Sequence, residues 1–257
     1  MDKYVVIIGL GQLGRVIAGG LLRSGHVVVP VNRGDDLSAV AARWPEPALA
    51  LICVAENDLH PVLAALPLAW RGRVGLLQNE LLPRDWQAHD LADPTVISVW
   101  FEKKKGSDAK PLLSSPVFGP RGALLVRALQ AVDLPAHELE SSESLLRELV
   151  RKNLYILTTN IAGMEVGGDV GTLWAQHEGL ARAVAADVLD VQDWLSGRLC
   201  DRERMLAGML EAFRADPQHG CAGRSAPGRL RRALQHADAA GLATPTLRRI
   251  AAAAGVS

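Results

Sequence analysis

Apolar residues arrive in two rhythms along this chain. Through about residue 140 they come as short bursts separated by helical stretches; beyond it they recur every three or four residues in long runs. Tyr4-Val-Val-Ile-Ile8 is a continuous β-branched burst, the pattern of a strand buried on both faces. Val16, Ile17, Leu21 and Leu22 then recur at helical spacing between Arg15 and Arg23. Further strands are expected over 27–31, 49–54 and 74–77, with helices over 37–43, capped by Asp36, and 59–66. Residues 96–101 and 110–118 read as two strands around a charged tip, followed by a helix over 121–132 and a last strand over 134–139. Strands alternating with helices imply a parallel, doubly wound α/β sheet with right-handed crossovers.

The second rhythm is helical. Ser141 or Ser142 can cap a helix that runs through Leu145, Leu149, Leu154 and Ile161 to about Val166. Four glycines between Gly163 and Gly171 end or kink it. Further helices are expected over 172–195, 202–214 and 230–240, and a last one opens at Thr244-Pro245. The reading is therefore a dinucleotide-binding domain over 1–140 and an all-helical domain over 141–257.

Between the first strand and its helix lies Gly9-Leu-Gly-Gln-Leu-Gly14. A GxGxxG is weak evidence by itself, but strong with a strand before it and a helix after it. Gly9 permits the tight turn, Gly11 lets the backbone approach a pyrophosphate, and Gly14 lets helix and strand pack closely. The helix N-terminus adds unpaired N–H groups for phosphate. The second strand ends Val31-Asn32-Arg33 without a carboxylate at its tip. Arg33 can clamp an adenosine 2′-phosphate, which favours NADP over NAD, although Asp35 and Asp36 follow closely. A solvated loop cation is the plain alternative for Arg33. Asn79, after the fourth strand, either hydrogen-bonds a substrate carbonyl or the nicotinamide, or simply forms a turn.

Composition narrows the partners. Twenty-eight Lys and Arg balance 28 Asp and Glu, so no net field draws in nucleic acid or an anionic membrane. Lys103 to Lys105 form one short basic run, read as a solvated hairpin end. No apolar run nears the roughly 18 residues of a membrane span. Cys53, Cys200 and Cys221 are few, far apart and without CxxC, which points to free thiols, no metal site and a cytoplasmic setting.

After Lys110 the chain has one lysine, Lys152, in a region otherwise positive through arginine alone. Lysine can release a proton where arginine effectively cannot, and a reductase needs an acid near the transferred hydride. Lys152 and Asn160 lie about 80° apart on their helix, with Ile156 between them. Either they flank a stripe facing the nucleotide crevice, or Lys152 is a surface lysine beside Arg151 and Asn160 closes a helix–helix contact.

Taken together, GLGQLG, RSGHVVVPVNR, LLQNELLP, RKNLYILTTNIAG and AGLATPTLRRI resemble ketopantoate reductases (2-dehydropantoate 2-reductases) over nearly the whole chain. The resemblance implies a Rossmann domain, a helical domain and NADPH reduction of a 2-keto acid, with a possible homodimer. It implies Lys152 as the catalytic residue and Asn79, Asn160 and Ser225 as substrate-binding. The cofactor would lie against Gly9, Leu10, Gly11, Gln12, Leu13, Gly14, Asn32, Arg33, Ala55 and Asn79. Several family positions differ. Ile156 replaces the first helix asparagine, Arg224-Ser225 stand where a Thr-Glu pair is expected, Glu56 replaces a phosphate-binding lysine, and Gly208 replaces a serine.

Three functions stay open on these residues. One is an NADP-dependent reductase of the ketopantoate-reductase type with an altered substrate. A second is a β-hydroxyacid or imine-type dehydrogenase. The third is a catalytically silent NADP(H)-binding or sensor protein, for which the missing Glu and Asn speak. Glu165, Glu178 or Asp169 could supply a replacement acid.

Overall fold

The structure, a computed structural model, describes residues 4–256. The chain divides into two compact units, Met1–Glu148 and Leu149–Ser257.

The first unit is the expected doubly wound sheet. Its strands are β1 (Tyr4–Ile8), β2 (Val27–Val31), β3 (Leu49–Ile52), β4 (Val74–Leu76) and β5 (Thr95–Ile97), all mutually parallel. The helices between them are α1 (Gln12–Arg23), α2 (Leu37–Arg43), α3 (Glu56–Ala64) and α4 (Pro83–Gln87). Strand order β2-β1-β3-β4-β5 puts β1 between β2 and β3, so successive crossovers leave β1 in opposite directions. Ligands of open α/β sheets bind beside that switch, outside the carboxyl ends of the strands. β1 has both neighbours and is almost wholly buried, which explains its unbroken apolar run. β2 is an edge strand, and this is why Pro30, with no N–H to give a second neighbour, is tolerated in it.

The residues around the charged tip fold differently from the simple hairpin expected. β8 (Ser115–Phe118) joins the main sheet antiparallel to β5 and leads to α5 (Gly122–Gln130) and the parallel β9 (Ala136–Glu138). β6 (Phe101–Glu102) and β7 (Lys110–Pro111) form a separate two-stranded ribbon. A side chain causes the break: Ser115 Oγ accepts the Trp100 N–H at 2.9 Å, so a hydroxyl takes one ladder position. The short helix α4 and a 3-10 turn at Leu68–Arg73 were not anticipated. α4 opens at Pro83, and the Asp85 carboxylate accepts the Leu82 N–H at 2.7 Å. On one face of the sheet α1 and α5 touch backbone to backbone. A Cβ at Gly20 would fall 1.9 Å from the Ala128 carbonyl oxygen.

The second unit is helical. It takes the greater part of α6 (Ser142–Val166), followed by α7 (Val170–Ser196), α8 (Arg202–Ala215), α9 (Ala226–Ala240) and α10 (Pro245–Ala254). α6 ends where expected, because Gly167 and Gly168 both adopt positive φ. α9 begins four residues before its expected start, with Pro227 in its first turn. Inside the unit the buried amide of Asn153 donates to Gln192 Oε1 at 3.0 Å, joining α6 to α7.

α10 is capped in an unexpected way. Thr244 sits at φ 36° and gives no side-chain cap. Instead Asp187, buried on α7, accepts the N–H groups of Thr246 and Leu247 at 2.7 and 3.1 Å. Asp187→Ala should cost about 1–3 kcal/mol in chemical denaturation, since two N–H groups lose a charged acceptor. A loss under about 0.5 kcal/mol would mean that water replaces the carboxylate without penalty.

Among the described residues no helix is long and apolar enough to cross a membrane, and no group of three or more His, Cys, Asp or Glu is placed to hold a metal ion. The three cysteines are free thiols.

Candidate functional site

In the first unit the candidate residues lie at the carboxyl ends of β1, β2, β3 and β4. The three glycines of the turn differ in why they must be small. Gly9 has φ 95°, and a Cβ there would meet the Cys53 carbonyl at 3.1 Å. Gly14 is packed harder, since its Cβ would stand 2.3 Å from the Gly9 oxygen. Gly11 has ordinary φ and open space beside it, so nothing inside the protein requires glycine there. α1 starts at Gln12 with no side-chain cap and no acidic residue in its first turn. Its leading N–H groups and positive end are therefore available to an anion. Leu10 and Leu13 are partly buried, and the Leu10 carbonyl accepts Arg15 Nε at 3.0 Å.

Cys53 lines this turn, and burial pushes its thiol far up, so it is an inert wall and not a nucleophile. Ala55 is the N-cap of α3. Gln78, passed over in the sequence, is buried and ties strand ends together: its amide donates to the Ile52 and Val54 carbonyls at 2.8 and 3.2 Å. That bridge seats Asn79, whose Nδ2 donates to Glu56 Oε1 at 3.0 Å. Asn32 closes the turn after β2 by donating its N–H to the Asp35 carboxylate at 2.7 Å. Arg33 is 91% exposed and pairs with Asp58 of α3 at 3.1 Å. Asp58 was likewise not singled out beforehand. An exposed pair of this kind is worth little and opens readily to a competing anion.

The glycine turn thus fits a pyrophosphate. The surroundings of Arg33 fit a 2′-phosphate less simply, because one carboxylate already answers the guanidinium.

In the second unit a residue not named from the sequence, Arg229, bonds to Asn160 and acts by its charge on Lys152. Arg229 on α9 donates Nη1 to Asn160 Oδ1 at 2.9 Å, and Ser225 lies one turn before it as the N-cap of α9, making no side-chain cap bond. Lys152 is partly buried with its ammonium 5.5 Å from the centre of the Tyr155 ring. Burial, then the Arg229 charge, then the Arg151 charge push its pKa down to about 7. A lysine with that value holds or releases a proton near neutrality. Arg151 itself is matched by Glu211 at 2.9 Å and by the Gly208 carbonyl at 3.1 Å. The Gly208 position has a local explanation too, since a Cβ there would press on the Arg151 side chain at 2.8 Å.

The acids considered as replacements have other work. Glu165 pairs with Arg249, Glu178 pairs with Arg182, and Asp169 caps α7 through the Thr172 N–H at 2.7 Å.

No protein-family model and no curated protein matches the chain. Solved structures do. A PanE/ApbA family ketopantoate reductase from Ralstonia eutropha is 18% identical, with a TM-score of 0.70 over 98% of this chain and 97% of that one. A dimeric ketopantoate reductase from Staphylococcus aureus is 16% identical, with a TM-score of 0.67 over 98% and 97%. A D-mandelate dehydrogenase solved with NADH and anilino(oxo)acetate is 13% identical, with a TM-score of 0.68 over 96% and 95%. At such identities the likeness speaks for the fold, and it covers both units: the chain has the fold of the ketopantoate reductases, a Rossmann sheet followed by a helical region.

Proposed function

We propose that this chain is an NADP-dependent oxidoreductase of the ketopantoate-reductase type, acting on a 2-keto acid-like carbonyl and not on ketopantoate itself. Gly11 carries the cofactor half of the reading. It is a glycine with no internal cause, at the uncapped start of a helix and beside the topological switch, where a pyrophosphate would supply the cause. Lys152 carries the chemical half, because a lysine held near pKa 7 is matched to proton transfer at neutral pH.

The nicotinamide supplies hydride when bound. Lys152 gives a proton to the oxygen that gains charge as the carbonyl is reduced, and the Asn160 amide of the same unit orients that carbonyl, while Asn79 of the first unit serves the nicotinamide. Ser225 contributes its hydroxyl to the substrate. Arg33 leaves Asp58 to meet the 2′-phosphate, exchanging an exposed carboxylate partner for a more highly charged one. The substrate departs from the family's because Ile156 removes the expected asparagine amide and Arg224-Ser225 lack the expected glutamate carboxylate. The three free thiols agree with a cytoplasmic setting, and the dimeric Staphylococcus aureus neighbour is the reason to propose a homodimer.

Thermal denaturation with each nucleotide tests this. NADPH at about 100 times its dissociation constant should stabilise the native state by about 2.7 kcal/mol, with NADH at equal concentration giving a smaller shift. Arg33→Ser should cost NADPH about tenfold in affinity while leaving NADH unchanged. Equal shifts from both nucleotides would remove the 2′-phosphate from the reading. A larger shift from NADH would favour the second reading, a β-hydroxyacid-type dehydrogenase, for which the Asp58 partner of Arg33 and the NADH-bound D-mandelate dehydrogenase speak. NADPH binding with no oxidation by any 2-keto acid or imine would leave the silent binder.

A further inference from the structure

The helix α3 has little of its own to hold it in place. It is nine residues long, buries only Leu59 and Leu63, and carries Pro61 inside, so one rung of its ladder has no N–H. A helix this short takes its order from what its side chains touch. Its N-cap is Ala55, and its first turn carries Glu56, bound to Asn79, and Asp58, paired with Arg33. One turn further on, His60 meets His89, which follows α4. His60 Nδ1 and His89 Nε2 are 2.9 Å apart with ring centres at 5.2 Å, so the rings meet nearly end to end. That is the geometry of a hydrogen bond in which one imidazole donates and the other accepts. Asp85 of α4 lies 3.7 Å from the other nitrogen of His60, and Arg71 of the 3-10 turn donates to the His89 carbonyl. The charged groups facing the His89 ring are His60, Arg71, Asp90 and Asp85. Partial burial, then His60, then Arg71 pull its pKa below the ordinary 6.5, against the opposite pull of Asp90 and Asp85.

We infer that the His60–His89 pair is a proton-operated clasp on α3, closed while the two facing nitrogens hold one proton between them and open once each carries its own. A proton on the outer nitrogen of His60 faces Asp85 and leaves the bond in place, with His60 donating to a neutral His89. A proton added to His89 as well sets two donors and two like charges against each other, and the rings part. The native pair therefore takes its last proton at lower pH than the unfolded chain does. The clasp is whole above the ordinary 6.5 and is lost as pH falls through the lowered value of His89. With the clasp open, α3 is held chiefly by Leu59 and Leu63, and the turn that carries Glu56 and Asp58 loosens with it. The clasp itself does not rest on the cofactor reading; only its bearing on NADPH does.

Amide hydrogen exchange without nucleotide tests the clasp, with each rate expressed relative to the unstructured peptide at the same pH. From pH 7.5 to pH 5, protection of Val62, Leu63 and Ala64 should fall about tenfold, while that of Ile17 and Leu21 in α1 stays within about twofold. The double variant His60→Asn, His89→Gln sets amide groups near the two facing ring nitrogens, keeping a bond that no proton can break. Its α3 protection should stay within about twofold over the same range. Nitrogen chemical shifts of the two rings in the unaltered protein give a readout that no misfolded variant can spoil. One facing nitrogen should carry a proton at pH 7.5, and both at pH 5. An α3 indifferent to acid, a double variant that responds as the unaltered protein does, or two bare facing nitrogens at pH 7.5 overturns the clasp. The two readings fail separately. Acid opening of α3 without NADPH binding removes the cofactor reading and keeps the clasp, whereas NADPH binding with α3 indifferent to acid does the reverse.

Discussion

Lys152→Met is expected to make the protein more stable and less active at once. For any carbonyl compound that the unaltered protein reduces, turnover should fall about 10²- to 10⁴-fold, the usual contribution of a positioned proton donor. NADPH should still bind, because the lysine belongs to the helical unit and the glycine turn to the other. The gain in stability follows from the lowered pKa. In the unfolded chain the ammonium keeps its proton up to the ordinary value of 10.5, whereas in the fold it loses it near 7. Below about pH 7 both states are protonated, and the fold carries the full penalty of a shielded charge. Between about 7 and 10.5 the penalty shrinks as pH rises, and above that it is gone. Methionine fills similar space without the charge, so at pH 6 the variant should gain about 1–3 kcal/mol, reduced by the roughly 0.5–1 kcal/mol of the lost contact with the Tyr155 ring. Denaturation curves at pH 6 and pH 10 measure this, and the gap should close at the higher pH. A variant less stable than its parent at pH 6 would mean that the ammonium holds the fold together. The rate profile gives an independent check: kcat/KM for reduction should decline as pH rises through about 7, where the donor loses its proton.

The second large effect separates two glycines three residues apart. Gly14→Ala forces a methyl group to 2.3 Å from the Gly9 carbonyl oxygen, a backbone atom that cannot swing aside. The α1 start must move away from β1, and a loss of about 2–4 kcal/mol is expected, with the nucleotide site lost as well. Gly11→Ala meets nothing within 4 Å and keeps an ordinary backbone angle. Its stability without nucleotide should change by less than about 0.5 kcal/mol, while NADPH affinity falls at least about tenfold, because the added carbon lies where the pyrophosphate must approach. Paired denaturation and nucleotide titration distinguish the two. If Gly11→Ala kept full NADPH affinity, the open space beside it would not be a phosphate site, and the cofactor reading would lose its main support.

Much of the architecture was legible because the signals that specify it are local. β1 declares itself in five residues, since a strand with neighbours on both sides and layers above and below has no polar face to show. The glycine turn is read from six residues, and the end of α6 from two glycines that accept positive φ. Errors fell where a tertiary contact decides a boundary. The break between β5 and β6 depends on the Ser115 hydroxyl, fifteen residues from the Trp100 N–H that it accepts, and no local rhythm announces it. α3 starts before the expected position because its first turn is acidic and not apolar, so a reading based on hydrophobic spacing starts it late.

The candidate site divides along the same line. Residue types alone singled out Lys152, as a proton donor set among arginines, and the glycine turn, as a place for phosphate. What those residues touch came only with the fold. Arg229 and Asn160 are 69 positions apart, Asp187 and its Thr246 partner 59, and Arg33 and Asp58 25. Each pairing is set by which helix faces pack together or which strands are neighbours. Backbone periodicity is dictated by residues within a few positions and is written into the chain directly. A charge, by contrast, takes its pKa from whatever burial and neighbouring charge the packed chain places around it, and that neighbourhood exists only after folding.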